Sequence, residues 1–404
     1  MAATSGSSAY AGLTPGQARL LLAGLAAALA ISVGVTLSPL RAGKRGQSPF
    51  AGTARRVLRT NGDCPLFPLQ GEGDTGLYRA EIKRVHAGEG YYPAAAKELV
   101  ARGYPTQSVF NWRTPLPVWA LGKLPDAGLG KAILILLALA LVVLGFEWTS
   151  REEGKENSPH YLPVGTSHSP LAARHSPLVF PLAAALLLAG TLFECALDDQ
   201  YVSPELWAGI LLGLSMVAYG LKRPYLAVAL GVAALFVREL SLPYCLLAAA
   251  LAWRQGKRQE VLGWLAGLAA WALFFALHVM AVRNWMPAGA IAHREGWIQF
   301  GGLPFVISIM QMHVGLLLLP QWVAAIYLVA VLFGVAGWQG EMGQRLGLTV
   351  SLYVAAFSVV GHDFNQYWGE LLVPLACFGA ARSLTALADL LRAATRRPVG
   401  YASA

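Results

Sequence analysis

An all-α integral membrane protein with about ten transmembrane helices is the fold this sequence predicts, and three observations predict it. The 404 residues are 56% hydrophobic and only 13% charged. Their apolar residues come in unbroken blocks of Leu, Ala, Val and Gly without two-residue alternation, which favours helices over an outer-membrane barrel. The basic residues behind the net charge of +9 sit in short clusters between the blocks. That is the positive-inside pattern of a membrane protein and not a nucleic-acid footprint.

Taken in order, residues 1–19 form a Ser/Gly/Ala-rich leader expected to be disordered and cytoplasmic. Leu20–Leu40 is longer than the apolar core of a cleaved signal peptide and lacks a strongly basic flank, so 20–40 reads as a retained first transmembrane helix. Residues 41–128 form a long polar loop, 129–391 the transmembrane bundle and 392–404 a basic tail. Val261–Val282 and parts of Gly296–Gly340 are free of Asp, Glu, Lys and Arg for the ~20 residues that cross a ~30 Å hydrocarbon layer. Ala132–Phe146, Leu178–Phe193, Leu206–Leu221, Tyr225–Val237, Leu240–Trp253, Leu346–Gly361 and Leu371–Ala381 reach that length with flanking residues.

The basic clusters orient these spans. Arg151, Lys155 and Arg174, then Lys222 and Arg223, then Arg254, Lys257 and Arg258, then Arg345, and last Arg392, Arg396 and Arg397 mark the cytoplasmic side. The loop 41–128 is thereby extracytoplasmic. An even number of crossings must separate Arg258 from the tail, so Leu303–Leu319 is expected to be interfacial or re-entrant, giving ten spans; if it crosses, there are eleven.

Cys64, Cys195, Cys245 and Cys377 lack metal-ligand spacing, and only Cys64 lies in an aqueous loop, so no disulfide is expected. His160, His168 and His175, in the Ser/Pro/His-rich segment Arg151–Pro177, are too irregular for a zinc site.

The residues able to do chemistry gather in the first outer loop. Gly76–Ala87 and Tyr92–Ala101 mix apolar and polar residues at helical spacing, which predicts two short amphipathic surface helices broken at Gly88-Glu89-Gly90. Asp74, among glycines, suits a helix N-cap and equally a catalytic base. Glu89 is a second candidate base, and Tyr91 and Tyr92 beside it suit either headgroup anchoring or stacking on a sugar. Arg113, between Trp112 and Pro115, can snorkel to headgroups or offer paired donors to a phosphate. Arg238-Glu239 divides two apolar blocks and reads as an outer turn, holding an internal ion pair or a phosphate. His362, Asp363, Asn365, Tyr367 and Trp368 crowd the last outer turn, more polar and aromatic groups than a solvated turn needs. No GxSxG elbow, HExxH pair or phosphate-binding glycine loop is present, which disfavours a nucleotide-driven reaction.

Asp74-x-x-x-Tyr78, Gly88-x-x-Tyr91-Tyr92, Phe110-x-x-Arg113-x-Pro115-Leu116, Arg238-Glu239 and Asn365-x-Tyr367-Trp368-Gly369 together resemble the polytopic GT-C class of glycosyltransferases, especially family 87 and the mannosyl- and arabinosyltransferase-like groups. The resemblance covers most of the chain in topology but only some twenty residues in motif. Asp74 lies further from the first span than the acid of those families, and Asp63 is nearer. The resemblance implies a polyprenyl-phosphate sugar donor, a glycan, lipid or protein acceptor, inverting transfer and an active site at the outer face of the cytoplasmic membrane. Asp74 or Glu89 would act as base, and Arg113 or Arg238 as phosphate clamp, with Tyr78, Tyr91, Tyr92, Glu239, His362, Asp363, Asn365, Tyr367 and Trp368 around the substrate. The cofactor is left open, a divalent cation being compatible with this chemistry. A transporter or lipid flippase, and a non-catalytic assembly partner, are the competing expectations.

Overall fold

The computed structural model describes residues 8–37, 73–156, 178–197, 199–293 and 296–396. Asp63, Cys64 and the three histidines of the 157–177 segment lie outside these. Among the described residues every extended element is a helix, and the single β-bridge joins Ile298 to Val360. Five helical stretches are long and apolar enough to cross a membrane: Pro15–Leu37, Ala127–Gly154, Val179–Ala196, Arg258–Trp285 and Asp363–Thr395.

The helices are α1 (Pro15–Leu37), α2 (Gly73–His86), α3 (Tyr91–Ala101), α4 (Pro115–Lys123), α5 (Ala127–Glu156), α6 (Val179–Ala196), α7 (Pro204–Gly220) and α8 (Pro224–Val237). They continue as α9 (Leu242–Arg254), α10 (Arg258–Trp285), α11 (Gly302–Met310), α12 (Val314–Leu317), α13 (Gln321–Gly337), α14 (Gly340–Val359) and α15 (Gly369–Thr395). Prolines stand at the first turns of α4, α7, α8 and α9, where the missing N–H costs no helical bond. The two surface helices expected in the first loop are α2 and α3, and Gly88, with φ of +95°, makes the break between them.

Helix α15 is the hub. It packs on α13, α7, α6, α1, α14 and α11, and glycines let neighbouring backbones close in. A Cβ at Gly209 of α7 would stand 2.2 Å from the Glu370 carbonyl, and one at Gly334 of α13 would stand 1.9 Å from the Gly379 carbonyl. Small residues at such crossings are the usual means of helix association where lipid surrounds the bundle.

One expectation changes, and one acquires its detail. The leader is not disordered from Ser8 onward: Tyr10 stacks on Phe333 and bonds its carbonyl at 3.0 Å, and Ser8 Oγ donates to Asp389 at 2.7 Å. Residues 303–319 form α11 and α12, broken at Gln311-Met312-His313. The longer of the two, 9 residues, spans roughly 14 Å, about half of a hydrocarbon layer.

The turns sort to two ends of the bundle. At one end the turns before α7, after α8 and before α15 meet α2 and the Trp112–Thr114 segment, through Ser203–Glu370, Arg238–Glu205, Arg113–Tyr367 and Thr114–Val237 contacts. At the other, Arg382 pairs with Glu153 at 3.7 Å, Arg345 with Glu260 at 3.6 Å, and Trp148 stacks on Trp338. Cys195, Cys245 and Cys377 are buried helix residues.

Candidate active site

A cleft of about 540 Å³, partly open to solvent, lies at the first end. Its polar wall is Asp74, Tyr78, Tyr104, Asn111, Arg113, Asn365 and Tyr367, and its rim carries the rings of His293, Trp297 and Phe364. Asp74 and Tyr78 face it together because residues four apart lie on one side of a helix. Tyr367 and Asn365 come from the helical turn Asp363–Trp368, which His362 and Asn365 cap reciprocally.

Arg113 is held with unusual care. Its φ of +55° is a left-handed conformation that costs a non-glycine residue on the order of 1–2 kcal/mol. The surrounding residues are pinned: Asn111 Nδ2 donates to the Pro105 carbonyl at 2.9 Å, Trp112 Nε1 to the Thr106 carbonyl at 2.9 Å, and Thr114 Oγ1 to the Phe236 carbonyl at 3.3 Å. The Tyr91 hydroxyl closes this set by donating to the Trp112 carbonyl.

The guanidinium so placed donates from Nε to the Tyr78 hydroxyl and from Nη2 to the Tyr367 hydroxyl, both at 2.9 Å, and from Nη1 to the Phe110 carbonyl at 2.8 Å. Two of its five N–H groups are left over. Asp74 Oδ2 stands 3.9 Å from Nη2, a charge contact too long for a hydrogen bond. The Tyr104 hydroxyl donates to Asp74 Oδ1 at 2.8 Å. Burial lifts the Asp74 pKa above the ordinary carboxylate value, with Arg113 and the Tyr104 bond pulling against it. Tyr78 and Tyr367 each accept from Arg113 and keep their own O–H to offer into the cleft.

A carboxylate able to take a proton, a cation able to hold an anion, and two phenols between them therefore share one cavity. Among the described residues no group of three or more His, Cys, Asp or Glu side chains is arranged to hold a metal ion.

The other predicted residues are elsewhere. Helix α2 begins at Gly73 with Asp74 already inside it, and the carboxylate turns to Tyr104 instead of capping a backbone N–H. Glu89 sits away from the cleft, ion-paired with Lys97 and with Arg84 at 3.4 Å; the Lys97 bond leads in lowering its pKa, the reverse of what a base needs. Tyr91 is buried under the Arg113 segment, and Tyr92 bonds His278 Nδ1 at 3.1 Å, tying α3 to α10. Neither offers a face to a sugar in the cleft. Arg238 is buried behind the cavity, 2.7 Å from Glu205 and paired with Glu239, so the internal ion pair is realised. His362 stacks on Phe364 at 5.0 Å, Trp368 packs on Trp297 at 6.0 Å, and Asp363 is exposed.

Tyr104, Ser203 and Glu205 escaped sequence reading. Tyr104 gives no periodic signal in Gly103-Tyr104-Pro105. Ser203-Pro204-Glu205 reads as an ordinary helix start, which it also is, since Ser203 Oγ accepts from the Leu206 N–H.

Comparison of the chain with family models, with curated proteins and with solved structures yields no match.

Proposed function

We propose that this chain is a GT-C-type membrane glycosyltransferase that moves a sugar from a polyprenyl-phosphate donor to a glycan, lipid or protein acceptor, with inversion, at the outer face of the cytoplasmic membrane. One observation carries the reading. The Asp74 carboxylate and the Arg113 guanidinium stand 3.9 Å apart on the wall of one open cleft. Inverting transfer needs a carboxylate to accept the proton of the attacking hydroxyl, while the phosphate that leaves is stabilised as an anion. Asp74 is the base and Arg113, with the Tyr78 and Tyr367 hydroxyls, holds the departing phosphate. The rings of Trp297, His293 and Phe364 line the side where an aromatic surface favours a sugar face or the first isoprene units.

The reading is tested by incubating the purified protein with polyprenyl-phosphate sugars and by mass spectrometry of lipid-linked sugars and envelope glycans in a deletion strain. Unchanged glycan and lipid pools would overturn it. A transporter or flippase is the second reading, favoured by the buried ion pairs Arg345–Glu260 and Arg382–Glu153 at the far end, which a moving bundle could break and remake. Translocation of a fluorescent lipid-linked sugar in vesicles, without transfer, would select it.

Ten helices run from end to end in the layout we infer: α1, α5 to α10, and α13 to α15, with α11 and α12 dipping into the cleft end and returning. A substituted cysteine at Gln107, which is exposed, should then react with an impermeant maleimide outside intact cells, and one at Gln255 should not. Outside labelling of Gln255→Cys would reverse the orientation and with it the placement of the cleft.

A further inference from the structure

We propose that the isoprenoid chain of the lipid donor lies along a file of aromatic rings, Phe110, Phe275 and Trp271, that starts beside Arg113 and descends α10 into the outer leaflet. The assignment rests on the lipid-phosphate donor of the transferase reading and adds where the lipid goes. Arg113 Nη1 donates to the Phe110 carbonyl at 2.8 Å, so Phe110 is held next to the guanidinium that has two N–H groups to spare. The Phe110 ring stacks on Phe275 at 6.0 Å, and Phe275 stacks on Trp271 at 5.1 Å. A separation of four residues keeps the last two rings on one side of the helix. Beside them Phe274 packs on Phe236 of α8 at 5.1 Å, and the Phe236 carbonyl accepts from Thr114 Oγ1 at 3.3 Å. The file is thereby braced against the same short segment that places Arg113.

Depth and exposure say what the file is for. In the layout inferred above α10 enters the membrane at Arg258, and the ~20 residues that cross the hydrocarbon layer bring it to the outer boundary near His278. The surface helix α3 meets it there, through Tyr92 and His278 Nδ1 at 3.1 Å. Trp271 therefore lies roughly 10 Å below that boundary, at 1.5 Å per helical residue. That is deeper than the interfacial belt in which aromatic residues anchor at the headgroups. Only 11% of the most apolar window of α10 is buried, so the helix faces lipid over most of its surface. Phe110 is exposed, and Phe275 and Trp271 are half-buried. Trp271 Nε1 is buried and has no hydrogen-bond partner among the described residues, so the part of the indole that reaches the surface is ring carbon. A buried indole N–H ordinarily finds a partner. Here the ring is kept although its N–H goes unmet, at a depth where leucine would suit bulk lipid equally well.

A cation at the head of the file and a single run of rings below it match a ligand with one phosphate and one chain. A polyprenyl phosphate is such a ligand, and its flat, methyl-bearing double bonds can lie against ring faces. A two-chain phospholipid supplies the phosphate but leaves one chain without a ring to meet. The rim rings of His293, Trp297 and Phe364 then remain for the sugar.

Photolabelling of the full-length protein in lipid nanodiscs tests the track without any need for activity. The probe is a long-chain polyprenyl phosphate with a diazirine in its first isoprene units. Its label should map by mass spectrometry to Phe110 and to the α10 peptide that holds Trp271 and Phe275, and should be displaced by unlabelled polyprenyl phosphate but not by phosphatidic acid. The Trp271→Leu/Phe275→Leu double variant stays apolar, and should bind the long-chain phosphate several-fold more weakly while binding dimethylallyl phosphate, which reaches the clamp and little further, as wild type does. Label spread over the lipid-facing helices, label displaced by phosphatidic acid, or wild-type affinity for the long chain in the double variant would overturn the track. A protein labelled on the track that transfers sugar from no donor would keep the track and lose the transferase reading. A protein that transfers sugar with the label elsewhere would lose the track alone, so the two failures are told apart.

Discussion

Asp74→Asn is expected to fold, to bind the lipid-linked donor, and to transfer sugar at least about a hundredfold more slowly, because a general base is worth roughly 10²–10⁴ in rate. The substitution is close to isosteric, and an amide oxygen can still accept the Tyr104 hydroxyl that bonds Asp74 at 2.8 Å. What it removes is the ability to accept a proton. Glu89→Gln, in surface ion pairs, should leave transfer unchanged, and Asp63→Asn is the second control. Transfer at the wild-type rate in Asp74→Asn would sink the assignment, and a silent control would move the base to that residue. The pH profile carries an independent check. Burial raises the Asp74 pKa, so the acid limb of turnover should lie above the ordinary carboxylate range; a base works only when deprotonated, and activity falls as pH drops through that raised value. Tyr104→Phe deletes a bond that favours the carboxylate, so it should shift this limb to still higher pH.

Arg113→Ala is expected to reduce turnover by roughly 10²–10³, the range found when one donor to a developing anion is removed. Arg113→Lys should keep part of the activity, since an ammonium supplies charge but cannot span Tyr78, Tyr367 and a phosphate at once. Wild-type turnover of a folded Arg113→Ala protein would reject the clamp. Arg238→Ala is the informative contrast. It strands Glu205, 1% exposed, without its cation, and breaking a buried pair in this way costs about 3–5 kcal/mol of stability. Its defect should therefore appear in thermal unfolding and expression, and rescue by removing both of its carboxylate partners as well, in Arg238→Met/Glu205→Leu/Glu239→Gln, would mark it as structural.

The sequence made some of this visible for physical reasons that can be named. Asp74 and Tyr78 are four apart in a segment of helical period, so their shared face follows from geometry alone. The turn at Arg238-Glu239 was legible because a charged pair inside an apolar run is expensive unless the chain breaks there. Tyr91, Tyr92 and Glu89 misled for the opposite reason: glycine-flanked aromatics suggest a binding surface, yet Tyr91 holds the Arg113 backbone and Glu89 is held by Lys97 and Arg84. The small pocket beside Asp74 was out of reach: Glu205 and Glu370 open two helices far apart in sequence, and only the packing of α7 on α15 brings both, with Ser203 and Tyr367, to a pocket that Asp74 also lines.

Helix α1 has a consequence for how the protein is made. Only 6% of its most apolar window is buried, and the helices it packs on are α11, α13 and α15, the first of which begins at Gly302. During synthesis α1 must therefore wait in the bilayer until most of the chain has followed it through the translocation machinery. Its uncharged stretch from Leu20 to Leu37, mostly Leu, Ala and Val, makes that wait tolerable. The contacts of Ser8 and Tyr10 with Asp389 and Phe333 can form only when the last helices arrive, so the closing step of assembly joins the beginning of the chain to its end.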